Sequence, residues 1–67
     1  MTTGIEQYDR VRVITDRFLD EGAAAGTRGY VLEVYPDGNF EIEVSDQGTG
    51  ETIAQFVAVP GEVELDE

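Results

Sequence analysis

The chain has 67 residues and no Cys or His, and its 15 acidic residues face only four Arg, for a formal net charge of −11. This size predicts one domain, over residues 1–67, that buries only about 60% of its unfolded surface. The missing residue types exclude disulfides and thiolate or imidazole metal sites. Direct binding to nucleic acid or to an anionic membrane is not expected, because phosphates attract positive charge.

The location is predicted from two absences in the sequence. No apolar run approaches the roughly 20 residues that cross a membrane. No basic-then-apolar signal sequence opens the chain. We therefore expect a cytoplasmic protein.

The first predicted strand is Gln7–Ile14, because Val11 and Val13 alternate with Arg10 and Arg12. Alternation of this kind indicates a strand with one buried and one wet face. The two arginines are expected to pair with acidic residues across neighbouring strands. The candidate partners are Glu33, Glu41 and Glu43.

A long connection, Thr15–Ala25, follows the first strand. Its only large apolar residues are Phe18 and Leu19, and both are expected to fold back onto the core. A loop of this length in so small a domain is either packed down by such side chains or serves as a binding loop. Asp20 and Glu21 in this loop are therefore candidates for contact with a partner.

The centre of the chain predicts a β-hairpin. The strands Thr27–Tyr35 and Phe40–Ser45 are joined by a turn over Pro36–Asn39, whose residue types suit the required backbone angles. In the second strand, apolar residues alternate with Glu41 and Glu43, so the two carboxylates share one wet face. Gly29 is expected to ease a bend in the first strand.

Two further strands complete the predicted fold. The strand Glu51–Val57 has apolar residues on both faces, so its inward set stays open. Val59–Glu62 predicts a tight turn, and Val63–Leu65 predicts a short closing strand. Five short strands, one long first loop and a one-turn element before the last strand predict an all-β, five-stranded SH3-like barrel.

The sequence offers no set of residues for catalysis. Without His, no nucleophile–base pair can be drawn. Glu41 and Glu43 lie on a solvated strand face, whereas acid–base chemistry requires a desolvated cleft. The carboxylates near the second turn do not match the spacing of a calcium loop. We therefore expect neither an enzyme nor a bound metal or cofactor.

Acidity and one tyrosine define a candidate binding surface. Tyr35, beside the hairpin turn, is the aromatic residue most expected to be exposed. Acidic residues of the hairpin and of the long loop would supply the charge that attracts a basic protein. The predicted partner-binding residues are Tyr35, Glu33, Glu41, Glu43, Asp20 and Glu21.

The chain resembles the short bacterial proteins catalogued as domain of unknown function 4926. The resemblance is carried by four patterns: Ile5-x-x-Tyr8-Asp9-x-Val11-x-Val13, Gly26-x-x-Gly29-x-Val31-x-Glu33-Val34, Phe40-x-Ile42-Glu43-Val44 and Val63-x-Leu65. It covers nearly the whole chain and implies an SH3-like barrel. It also implies, as for some members of that family, a role as an immunity or antitoxin protein.

Three interpretations of the charge remain open from the sequence. The acidic surface could neutralise a basic partner, as an immunity or antitoxin protein does. The chain could instead be a structural or accessory barrel whose acidity serves solubility or adaptation to salt. It could also mimic nucleic acid toward a basic protein. A binding surface should gather its carboxylates on one face, whereas a solubilising surface should spread them.

Overall fold

The computed structural model describes residues 4–66 and contains one antiparallel sheet of five strands. The strands are β1 (Arg10–Val13), β2 (Arg28–Val34), β3 (Phe40–Ser45), β4 (Thr52–Ala58) and β5 (Val63–Leu65). Their order in the sheet is β4-β3-β2-β1-β5, and 3₁₀ turns cover Leu19–Glu21 and Pro60–Glu62. The predicted all-β, SH3-like fold is confirmed, with the long loop and the short turn before β5 in their expected places.

The predicted and observed bounds differ most in β1. β3 and β5 have the predicted bounds, and β2 and β4 differ from prediction by one residue at each end. β1 begins at Arg10 rather than at Gln7. The residues before it form a turn in which the Asp9 N–H donates to the Glu6 carbonyl at 3.1 Å, and Tyr8 has a left-handed φ of 73°. That conformation is incompatible with a strand.

The core lies on the inner face of the sheet. In β4 the inward set is Ala54, Phe56 and Ala58, which settles the choice that the sequence left open. Phe18 folds back from the long loop as predicted and stacks on Phe56, with ring centroids 4.1 Å apart. The prediction for Leu19 was wrong, because Leu19 begins a 3₁₀ turn and is 57% exposed.

Gly29 allows β2 to approach β3 closely. It is buried, and a Cβ atom there would lie 2.8 Å from the carbonyl oxygen of Glu43 and 3.0 Å from Cγ2 of Ile42. Real side chains do not tolerate the first of these distances, and the second is tight. Glycine is therefore required here by the close approach of the two strands, and the bend expected at Gly29 stays a prediction.

Candidate protein-binding face

The outer face of the sheet carries three acidic residues in adjacent positions. Glu41 and Glu43 alternate with buried residues of β3, and Glu33 of β2 lies directly opposite Glu41 in the strand register. We call Glu33, Glu41 and Glu43 the acidic face. Cross-strand partners share one side of a sheet, so like charges are neighbours here.

A β-bulge places Glu33 in this group. Val31 pairs with Ile42, and the next pair is Glu33 with Glu41, so Leu32 is an extra residue in β2. Strict alternation would put Glu33 on the same side as the buried Val31. The bulge shifts the alternation by one residue and turns Glu33 outward.

Tyr35 holds one carboxylate of the acidic face. Its hydroxyl donates a hydrogen bond to Glu41 Oε1, and this bond is the main cause that raises the pKa of Tyr35 to about 12. The amide of Gln55 donates to Glu41 Oε2 at 3.1 Å. Tyr35 is half-buried, so the expectation of a free, exposed aromatic was wrong. The more exposed tyrosines are Tyr8 and Tyr30.

The acidic face is hydrogen-bonded by neutral donors. Glu43 accepts a hydrogen bond from the hydroxyl of Thr52 on β4, as Glu41 does from Tyr35 and Gln55. Within residues 4–66, none of the ion pairs includes Glu33, Glu41 or Glu43. Their negative charge is therefore held in position without being neutralised.

All four arginines are paired with other carboxylates. Arg17 pairs with Glu62, and Arg12 pairs with Glu64. The remaining pairs all involve Asp66. Its Oδ2 lies 3.0 Å from Arg10 Nε and 3.1 Å from Arg28 Nε, and its Oδ1 lies 3.4 Å from Arg12 Nη1. We call Arg10, Arg12, Arg28 and Asp66 the arginine cluster. The Asp66 side chain is only 5% exposed.

The predicted partners of Arg10 and Arg12 were therefore wrong. β1 lies between β2 and β5, so β2 separates it from Glu41 and Glu43 on β3. Glu33 lies beyond the last residue of β2 that pairs with β1, which is Tyr30 opposite Arg10. Arg10 and Arg12 therefore pair with acidic residues in β5 and just after it, because β5 is the other neighbour of β1 in the sheet.

A cavity of about 200 Å³ adjoins the arginine cluster. Arg10, Arg28 and Tyr30 line it together with Asp46 of the turn between β3 and β4. Asp46 Oδ1 accepts the N–H groups of Thr49 and Gly48 at 2.9 and 2.8 Å, which lowers the pKa of Asp46. Because Asp66 and Asp46 balance the two arginines, the cavity carries no net positive charge for an anion.

The acids of the long loop lie on the other side of β4. Asp20 and Glu21 are exposed in the first 3₁₀ turn. The loop around them runs beside β4, because Arg17 Nη2 lies 3.4 Å from the Val57 carbonyl and Gly22 lies next to Ile53. The predicted site is thus divided. Glu33, Glu41, Glu43 and Tyr35 come together, whereas β4 separates them from Asp20 and Glu21.

Exposed residues of β4 were missed as site candidates. Ile53 is 53% exposed and Val57 is 44% exposed, and Gln55 lies between them on the strand. Residues 52–61 contain no charged residue, although 28% of the chain is charged. That uncharged run was the signal in the sequence. It could not be used, because the inward set of this strand was not decided.

Comparisons of the chain with protein-family models, curated proteins and solved structures give no match. The resemblance to domain of unknown function 4926 therefore stays a prediction. Across residues 4–66, no three carboxylates are grouped closely enough to hold a metal ion. In the same residues, no helix has the length and apolar character needed to span a membrane.

Proposed function

We propose that the protein is a non-catalytic interaction module whose acidic face binds a basic protein. One observation carries the proposal. Glu33, Glu41 and Glu43 lie side by side without a cationic partner in residues 4–66, although the chain has four arginines. A surface whose acidity served only solubility would gain by spreading these charges or pairing them.

The arrangement favours association more than it favours folding. Like charges directly opposite each other in a sheet are destabilising, and a domain of this size has little stability to spare. In the encounter with a basic protein the same charges are attractive, and a net charge of −11 extends the attraction over long range. A basic toxin neutralised by an immunity or antitoxin protein is a partner of this class.

The test is a pull-down from the cytoplasmic fraction at low and high salt, followed by kinetics with the captured protein. Reversing two charges in Glu41→Lys/Glu43→Lys should lower the association rate constant at least tenfold, with a smaller change in dissociation. Glu6→Lys, at a residue before β1, changes the net charge as much as Glu41→Lys or Glu43→Lys alone and should have a smaller effect than either. A partner whose binding is independent of salt, or equal effects of Glu6→Lys and the single variants of the acidic face, would contradict the proposal.

A further inference from the structure

An uncharged strip runs along β4 between two groups of acids. Its exposed side chains are Ile53, Gln55 and Val57. Gln55 and Val57 are two residues apart, and Ile53 is the extra residue of a β-bulge, because the register passes from Val44–Ala54 to Ser45–Thr52. The strip therefore continues into the bulge and extends for about 13 Å along the strand. We call these three residues the β4 strip.

The acidic face borders one side of the strip. Glu41 lies opposite Val57 in the register, and Glu43 lies opposite Gln55. The hydrogen bond of 3.1 Å from Gln55 to Glu41 shows that the side chains of the two strands meet on this face. A group placed over Val57 is therefore next to a carboxylate that no arginine neutralises in residues 4–66.

The long loop borders the other side. Gly22 lies against Ile53, and Leu19, itself 57% exposed, begins the turn that presents Asp20 and Glu21. Arg17, whose guanidinium reaches the Val57 carbonyl, is paired with Glu62 and also attracts Glu21, so it balances only part of the charge of the loop acids. Apolar side chains consequently lie between carboxylates on both sides.

We propose that the β4 strip is the apolar centre of the interface and that the partner presents apolar side chains flanked by Arg or Lys. This inference rests on the proposed function and adds the chemistry of the partner. An apolar centre with a charged rim is the usual anatomy of a protein interface. The partner is a basic segment rather than a second copy of this chain, because two copies would each bring a charge of −11.

The two contributions act on different rate constants. The carboxylates on either side of the strip speed the encounter, and apolar contact with Ile53 and Val57 slows dissociation. A segment that has the basic residues without the apolar ones should therefore bind fast and leave fast. A segment that has both should stay bound longer.

The test uses two synthetic nine-residue peptides and the whole protein. One peptide alternates Arg with Val and the other alternates Arg with Ser, and both are acetylated and amidated, so that their charges are equal. We expect the Arg–Val peptide to bind at least tenfold more tightly. In NMR titrations, the residues of the protein whose chemical shifts change on adding this peptide should be those of the β4 strip and Leu19.

Variants test whether the strip is the source of the difference. Ile53→Thr/Val57→Thr keeps β-branched side chains, so the strand should form, and it should remove most of the preference for the Arg–Val peptide. The matched control, Ile14→Thr/Val34→Thr, alters two exposed apolar residues outside the strip and should retain the preference.

The remaining outcomes separate the two proposals. Equal affinity for the two peptides would overturn the apolar centre and leave the electrostatic function standing. Failure of both peptides to bind at low salt would count against both. Dimerisation of the protein that Ile53→Thr/Val57→Thr abolishes would overturn the choice of partner, because the strip would then cover a second copy.

Discussion

The two halves of the sheet differ in whether their acidic residues are paired with arginines. Around β1 and β5, three arginines enclose Asp66 and a fourth carboxylate–arginine contact joins Glu64 to Arg12. On β2 and β3, Glu33 lies opposite Glu41 and no arginine contacts either one within residues 4–66. The chain therefore uses its few cations to fasten its last strand, and it leaves the acidic face uncompensated.

The largest expected effect comes from opening the arginine cluster. Asp66→Ala removes a nearly buried carboxylate and leaves three arginines close together, so we expect a loss of about 2–3 kcal/mol in the free energy of unfolding. Glu64→Ala removes a carboxylate that is about half exposed and should cost less than about 1 kcal/mol. Urea unfolding measures both. Equal losses would mean that the burial of Asp66 is unimportant.

A smaller change of opposite sign is expected in the other half. Glu33→Lys replaces a repulsive cross-strand pair with an attractive one and should stabilise the fold by up to about 1 kcal/mol. Added NaCl should raise the melting temperature of the unaltered protein at pH 7 by screening the same repulsion. The variant should respond less to salt. Destabilisation by Glu33→Lys would show that the acids are not in repulsive contact.

The third prediction concerns the proton shared between Tyr35 and Glu41. The folded-state pKa of Tyr35 is about 12, whereas an unfolded tyrosine ionises near 10. Because the folded pKa is the higher one, this hydrogen bond stabilises the fold fully below pH 10 and loses its contribution as the pH rises from 10 to 12. Absorbance at 295 nm should show a late ionisation that Tyr35→Phe removes. Glu41→Gln should move that ionisation to lower pH.

Local pattern was sufficient where one strand has one apolar face. In β3, Phe40, Ile42 and Val44 alternate strictly with acids, and both bounds and faces were predicted correctly. In β4 the inward set is largely small alanines, while Ile53 and Val57 face solvent. Hydrophobicity alone would place Ile53 and Val57 inside and the alanines outside, so the buried face of β4 could be identified only from the structure.

The composition of the site depended on contacts between distant parts of the chain. The extra residue at Leu32 reverses the direction of Glu33, and no local motif in β2 announces it. The arginine partners depend on the strand order, which places β5 beside β1. A pattern within one strand cannot contain that information. The acids of β3 were therefore located correctly, and the arginines were assigned to the wrong neighbours.

The pairing of β1 with β5 also has a consequence for the order of folding. Arg12 and Glu64 are 52 positions apart, whereas β2, β3 and β4 are joined in succession by short turns. Loop closure over so long a segment has a larger entropic cost, so the three central strands should assemble before β5 docks. In the native state, β5 should then be the first strand to detach, and its amide protons should exchange with solvent sooner than those of β3. Each detachment would expose the β1 edge while leaving β2, β3, β4 and the acidic face in place.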